Sequence, residues 1–83
     1  MKQIVCAVHD SAMDAFLRPF FVPTTNMAAR SFTDEVNRKA EDNGMYNHPD
    51  DYILWKLGTF DEESGVFEND PAVIVRAKDV KGA

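Results

Sequence analysis

The sequence predicts an α+β domain: a small antiparallel or mixed sheet of four to five strands with one amphipathic helix packed on one face. The chain has 83 residues, which fits a single domain over residues 1–83. Residues 26–42 contain neither proline nor glycine and have helical periodicity. Apolar runs of strand length stand on both sides of this segment, so the predicted order is β-β-α-β-β-β. The sequence leaves open whether the tail, residues 79–83, is ordered.

The first strand is a continuous apolar run from Ile4 to Val8. Because the side chains that point to either side of this run are apolar, it is predicted to be a central strand with two buried faces. The next segment, residues 16–23, is aromatic and apolar but contains Pro19 and Pro23. Proline has no backbone N–H for the sheet, so this segment is predicted to be an edge strand or an extended, packed segment.

The helix is predicted over residues 26–42, with Thr24 or Thr25 as its N-cap. The apolar residues that recur every four positions are Ala28, Phe32, Val36 and Ala40. This stripe predicts an amphipathic helix that lies on one face of the sheet. Asn43 and Gly44 are predicted to end the helix through a left-handed residue.

Residues 52–60 alternate as a strand with two different faces. The side chains on its predicted core face are Ile53, Trp55 and Leu57. The side chains on the opposite face are Tyr52, Leu54 and Lys56. One helix cannot cover both faces of the sheet, so the uncovered face must be polar, pair with another copy or bind something.

The rest of the chain reads as a hairpin followed by a last strand. An acidic turn over residues 61–65 ends in glycine, and residues 66–68 resume as the return strand. Residues 69–71 contain proline and are predicted to break that strand. Residues 72–78 then supply the final strand.

The charge balance constrains the partners of the protein. Nine Lys and Arg residues against fourteen Asp and Glu residues give a net charge of −5. Non-specific binders of duplex DNA usually have the opposite balance, because neutralisation of phosphates supplies most of their affinity. The composition therefore excludes a broad basic surface and leaves a local basic patch open, since acids cluster in two predicted turns at residues 50–51 and 61–63.

The cysteine count and the hydropathy indicate an intracellular setting without a membrane partner. One cysteine cannot form an internal disulfide, which favours a reducing compartment. No run approaches the roughly 18 apolar residues that span a bilayer. The first ten residues are charged too early for a signal peptide.

The residues with catalytic or metal-binding chemistry do not form a recognisable site. Cys6 and His9 are three apart on a predicted strand, so their side chains point to opposite faces. His48 precedes Pro49 and is typical of a turn residue. The spacings of a zinc site, a calcium loop or a glycine-rich phosphate loop are not found in the sequence. We therefore expect no catalytic residue, metal or cofactor, and a protein that is not an enzyme.

Binding of single-stranded nucleic acid fits the pattern of the later strands better. Tyr52, Lys56 and Phe60 share one parity, and Arg76 and Lys78 share a parity on the last predicted strand. If these strands align, one sheet face interleaves aromatic rings with cations, and bases stack on such rings while cations contact phosphates. The candidate nucleic-acid-binding residues, with two second-rank cations at the end, are Lys56, Arg76, Lys78, Tyr52, Phe60, Arg18 and Arg30.

Two other interpretations of the same residues stay open. Tyr52 and Phe60 would pack under the irregular segment 18–23 or across a dimer, and the cations would then only solubilise the rim. An exposed sheet edge would pair with a second chain, because a domain of this size gains buried apolar surface by forming a homodimer.

The order of several short motifs resembles the small non-structural protein of gokushoviruses, the single-stranded DNA phages of the Microviridae. The matching segments run from an opening strand to a hairpin, and they are residues 2–8, 18–24, 29–32, 48–52 and 54–65. The most specific of them reads Leu-Trp-Lys-Leu-Gly-Thr-Phe-Asp-Glu-Glu-Ser-Gly over residues 54–65. Together the segments cover nearly the whole chain in order.

The resemblance implies a phage protein that is made in the host bacterial cytoplasm and is absent from the mature capsid. Such proteins are described as DNA-binding and are assigned to genome replication, near the switch to single-strand synthesis and packaging. We therefore expect a dimer that binds single-stranded DNA. The alternative is an adaptor that docks a viral or host replication protein through a sheet edge without binding DNA.

Overall fold

The computed structural model describes residues 1–82 and contains a five-stranded antiparallel sheet with a helical layer on one side. The elements in chain order are β1 (Lys2–Asp10), β2 (Ala15–Phe16), β3 (Phe20–Val22), α1 (Thr25–Val36), α2 (Gly44–Asn47), a 3₁₀ turn (Pro49–Asp51), β4 (Tyr52–Asp61), β5 (Phe67–Arg76) and α3 (Ala77–Val80). The predicted α+β class is confirmed.

β1 lies in the middle of the sheet because it is paired on both sides. β4 pairs with it along its whole length, and the short strands β2 and β3 pair in turn with its other edge. β5 pairs with β4 and forms the opposite edge of the sheet. The central first strand, the proline-containing edge segment and the hairpin between β4 and β5 are therefore confirmed.

The core lies between the sheet and α1. Its buried side chains are Cys6, Val8, Ala28, Phe32, Val36, Leu54 and Ala77. Leu54 is fully buried there, so the side of β4 that faces the helix carries Leu54 and Tyr52. The predicted core face of Ile53, Trp55 and Leu57 is thus wrong. We call the side that α1 packs on the covered face and the other side the open face.

An extra residue in β4 changes which side chains share a face. Lys56 pairs with Cys6 and Gly58 pairs with Val5, so Leu57 forms a bulge between them. Beyond the bulge, the side chains of β4 alternate in the opposite sense. Phe60 therefore lies on the open face, whereas Lys56 lies on the covered face. Gly58 fits this bulge because the backbone carbonyl of Glu68 occupies the space that a side chain would need.

β5 is one strand and not two. The predicted break at residues 69–71 is wrong, because pairing with β4 continues on both sides of that segment with shifts in register. Pro71 is accommodated since β5 is an edge strand. The strand ends at Arg76, and Ala77 begins α3, whose Val80 packs against the core. Lys78 therefore lies in α3 and not in a strand. The last residue of the predicted tail, Ala83, lies outside the described residues.

α1 begins at Thr25, one residue before the predicted range, and ends at Val36, six residues before its predicted end. The Thr24 hydroxyl accepts a hydrogen bond from the Met27 backbone N–H at 3.2 Å, which makes Thr24 the N-cap. At the other end, the buried Asn43 side chain donates 2.8 Å hydrogen bonds to the carbonyls of Glu35 and Arg38. Asn43 is in an extended conformation and caps α2, so the predicted left-handed ending at this residue is wrong.

Candidate nucleic-acid interface

One end of the open face carries three phenylalanine rings in contact. Phe60 of β4 lies 4.7 Å from Phe67 of β5 and 5.6 Å from Phe21 of β3, measured between ring centroids. Phe21 and Phe67 lie 6.3 Å apart. Phe60 and Phe67 come together because they pair across the hairpin. Phe21 reaches the same end of the open face because it pairs with Val5 at the other edge of β1. We call these three residues the phenylalanine cluster.

A second aromatic group lies at the other end of the same face. Phe16 of β2 packs edge-to-face against His9 at 4.8 Å and against Trp55 at 6.1 Å. His9 pairs with both Phe16 and Ile53, which places all of these side chains on the open face.

Three of these rings are open to solvent although the strand beneath them is buried. Phe67 is 60% exposed, Phe21 49% and Phe16 48%. Below them, Val5 and Ala7 of β1 are buried. The inner surfaces of the rings therefore cover the central strand, and their outer surfaces stay available for another aromatic or apolar group.

Two of the predicted cations lie at the margins of this surface. Arg76 pairs with Ile53 at the end of β5, so it shares the open face, and it is exposed. Arg18 is exposed in the connection between β2 and β3, at the opposite edge of the sheet. The acidic groups nearest the face also lie at its ends: Asp14 is 3.6 Å from the His9 ring, and Glu62 accepts a hydrogen bond from Gln3.

The structure does not bring the remaining predicted residues to this surface. Lys56 lies on the covered side, where its amino group forms a 2.8 Å ion pair with Asp70 and is largely shielded. Tyr52 packs against the core on that same side, and its pKa is raised by burial and by the nearby charge of Asp10. The prediction that Tyr52, Lys56 and Phe60 share a face is wrong, because the bulge at Leu57 separates Phe60 from the other two.

Lys78 and Arg30 belong to the helical layer. Lys78 is exposed on α3, and Arg30 is exposed on α1. Of the seven candidate residues, the open face and its edges therefore combine Phe60, Arg76 and Arg18.

Four aromatic residues of this surface are not among the sequence candidates: Phe16, Phe21, Trp55 and Phe67. The alternation of residues 52–57 predicts that Trp55 faces the core. The alternation itself is correct, but the face that carries Trp55 is the open face and not the covered face. The signal that could find the other three is their number, since more aromatic residues flank the strands than one small core can bury.

The groups with reactive side chains are held apart. Cys6 is buried on the covered side, where burial raises the pKa of its thiol, and His9 lies on the open face, as the sequence predicts. Within residues 1–82, no group of three or more His, Cys, Asp or Glu side chains is arranged to hold a metal ion. None of the helices in this part of the chain combines the length and the apolar composition that would cross a membrane.

Comparison with known proteins relates the chain to a phage protein family. Residues 3–80 match a family model described as Phage ORF5 protein. No curated protein matches the chain. No solved structure matches it.

Proposed function

Since the chain belongs to the Phage ORF5 protein family, we propose that it is a non-structural phage protein that binds single-stranded DNA on its open face. Its role in this proposal is in replication or packaging of a single-stranded DNA genome, in the cytoplasm of the bacterial host. The narrower assignment to the gokushoviruses of the Microviridae is part of the proposal. It is supported by the ordered motifs, of which residues 48–52 and 54–65 form the 3₁₀ turn and β4 with its hairpin turn.

The observation that carries the proposal is the solvent-open aromatic surface. Unpaired bases present flat π-faces, and stacking of one base on an aromatic side chain contributes about 1–3 kcal/mol. The phenylalanine cluster and the Phe16–Trp55 pair offer two such platforms on one side of a sheet. A duplex hides the faces of its bases within the helix, so this surface favours single strands.

The cations at the margins suit the backbone of the same strand. Arg76 and Arg18 lie at opposite edges of the sheet, on either side of the rings. A strand laid across the rings would bring its phosphates over these edges, where a guanidinium can donate two hydrogen bonds to a phosphate. With only two such cations, the electrostatic contribution is small, which agrees with a chain of net charge −5.

The proposed role is binding and not catalysis. Apart from His9, whose ring packs edge-to-face against Phe16, the side chains that the open face offers are mainly aromatic and aliphatic groups, which do not transfer protons or activate water. The two arginines offer positive charge and hydrogen-bond donors to a phosphate.

The test is the anisotropy of a dye-labelled oligonucleotide of roughly 12 nucleotides, single-stranded or duplex, at about 50 mM salt. We expect micromolar binding of the single strand and much weaker binding of the duplex. The double variant Arg18→Ala/Arg76→Ala should weaken single-strand binding about tenfold, because two charge-assisted contacts are lost.

The matched control is Arg30→Ala/Lys78→Ala, which removes the same charge from the helical side. This variant should bind the oligonucleotide within about twofold of the unmodified protein, since neither cation is on the open face. Equal weakening by both double variants would contradict the assignment to the open face. Absence of binding to any single strand would contradict the function itself.

A second candidate function is an adaptor that docks a viral or host replication protein. The observation that favours it is the apolar character of the same surface, because exposed apolar patches mark protein interfaces. The same titration distinguishes the two, since an adaptor of this kind would leave the labelled oligonucleotide free.

A further inference from the structure

The two edges of the sheet are poorly suited to pairing with another chain. In β5, Pro71 lacks a backbone N–H, and the pairing register shifts opposite residues 54–55 and again opposite residues 56–58. On the other edge, β2 and β3 are only two and three residues long and are separated by a segment that contains Pro19. Prolines, bulges and short strands are the features that prevent edge-to-edge association. A dimer would therefore use a surface other than the edges.

The open face is large and apolar enough to be that surface. A stable interface buries roughly 800 Å² on each partner. The two longer extents of the whole chain are 41 and 24 Å, so the outline of one face is of the same order as that area. Phe67, Phe21 and Phe16 would each bury about half of their surface or more on contact with an apolar partner, and Val73, on the open face of β5, is 38% exposed.

The distribution of charge on this face also fits a contact between identical copies. The open-face side chains Val5, Trp55, Phe60 and Val73 are all uncharged. The charged groups stand at the ends and edges, so two copies can meet without burying an unpaired charge. An apolar centre with a polar rim is the usual anatomy of a protein interface.

We infer that, in the free protein, a second copy of the chain covers the open face, and that single-stranded DNA displaces it. The self-association follows from the apolar face alone, whereas the displacement rests on the proposed function. Because both occupants require the same rings, they exclude each other, and each copy released from the dimer gains one DNA site. The dimer is then a storage form that keeps the aromatic surface out of water until single strands accumulate.

The experiment is light scattering of the full chain over a range of concentrations, with and without an excess of a roughly 12-nucleotide oligo(dT). Without DNA, we expect a concentration-dependent mass that reaches twice the 9.4 kDa of one chain. With DNA, we expect complexes that contain one protein chain, in place of the DNA-bound dimer expected from the sequence. The apparent affinity for DNA should fall as the protein concentration rises, since dimer dissociation precedes binding.

Three variants identify the surface. Phe67→Ser should weaken both self-association and DNA binding about tenfold, because the most exposed ring of the phenylalanine cluster is removed from the contact. Arg18→Ala/Arg76→Ala should weaken DNA binding and leave the dimer unchanged. Met27→Ser removes an exposed apolar side chain from α1 on the other side and should change neither. Far-ultraviolet circular dichroism of each variant confirms that it is folded.

Each result separates the two claims. A protein that binds DNA but stays monomeric at all concentrations overturns the inference and leaves the proposed function intact. A complex of one oligonucleotide with two chains overturns the displacement. A dimer that is insensitive to Phe67→Ser overturns the assignment to the open face. A Phe67-dependent dimer that never binds DNA supports the interface and overturns the proposed function.

Discussion

Tyr52 joins the end of the 3₁₀ turn to the core on the covered face. Its ring packs against the buried cluster, and its hydroxyl lies near the carboxylate of Asp10, which is itself buried. A side chain on Gly44 would collide with that hydroxyl, so the first residue of α2 is fitted to the tyrosine. Tyr52 thus acts in the packing of three elements, which is a structural role.

The raised pKa of Tyr52 predicts a loss of stability at alkaline pH. Below about pH 10 the hydroxyl is protonated in both states, so it adds no pH dependence. Above that pH the unfolded chain ionises first, and the free energy of unfolding falls until the pH passes the raised pKa of the folded state. The pKa of the buried Cys6 thiol is also raised, and it acts in the same direction.

We expect Tyr52→Phe to show a smaller decrease in urea midpoint between about pH 9 and 11 than the unmodified protein, with part of the decrease retained because of Cys6. Tyr46→Phe is the matched control, since it keeps Tyr52 and should follow the unmodified protein. An unchanged alkaline profile in Tyr52→Phe would show that the phenol does not couple to folding.

At the scale of elements, the strands could be predicted from sequence but their sides could not. Both sides of residues 52–57 are apolar, so alternation gives the period of β4 without showing which side the helix covers. The bulge at Leu57 has no sequence signal of its own apart from the adjacent Gly58. Without the bulge, Phe60 would lie beside Lys56, as predicted, and the aromatic surface would have one ring fewer.

The other differences between prediction and structure also have local causes. Residues 37–42 are compatible with a helix by propensity, yet the Asn43 side chain takes up the carbonyls that a longer α1 would use internally. Pro71 reads as a strand break, but an edge strand tolerates it. The start of α1 could be narrowed to two threonines, and only the structure identifies Thr24 as the cap.

The adjacent threonines provide a test of that cap. Thr24→Ala removes the acceptor for the Met27 N–H, so we expect the free energy of unfolding to fall by about 1 kcal/mol. Thr25→Ala, at the first helical position, keeps the cap and should change stability by less than about 0.5 kcal/mol. Urea denaturation measures both. Equal losses in the two variants would mean that Thr24 is not the functional cap.

At the scale of the whole protein, the fold is an elongated two-layer structure of 41 × 24 × 19 Å with a net charge of −5. Its helical layer covers one side of the sheet and leaves the other side open. The two proposed partners differ in charge, because a second copy carries the same −5 and a DNA strand carries one charge for each phosphate. Salt therefore screens repulsion between two acidic chains in the dimer, whereas in the DNA complex it weakens the contacts between arginines and phosphates.

Salt should move the two equilibria in opposite directions. For single strands, the logarithm of affinity falls by about 0.7 per neutralised phosphate for each logarithm of salt, so two arginine contacts predict roughly a sevenfold loss between about 50 and 200 mM. Repulsion between two acidic copies is screened over the same range, so the dimer should become tighter. Sedimentation and oligonucleotide titration at both salt concentrations check this. Parallel changes in the two affinities would contradict it.

The position of Trp55 has a practical consequence, because it is the only tryptophan of the 83 residues and it lies on the open face against Phe16. The intrinsic fluorescence of the protein therefore reports on that face without a label. A second copy would exclude water from the indole and shift its emission to shorter wavelengths, whereas a stacked base would quench it. One spectrum would thus distinguish an empty face, a face covered by protein and a face covered by DNA.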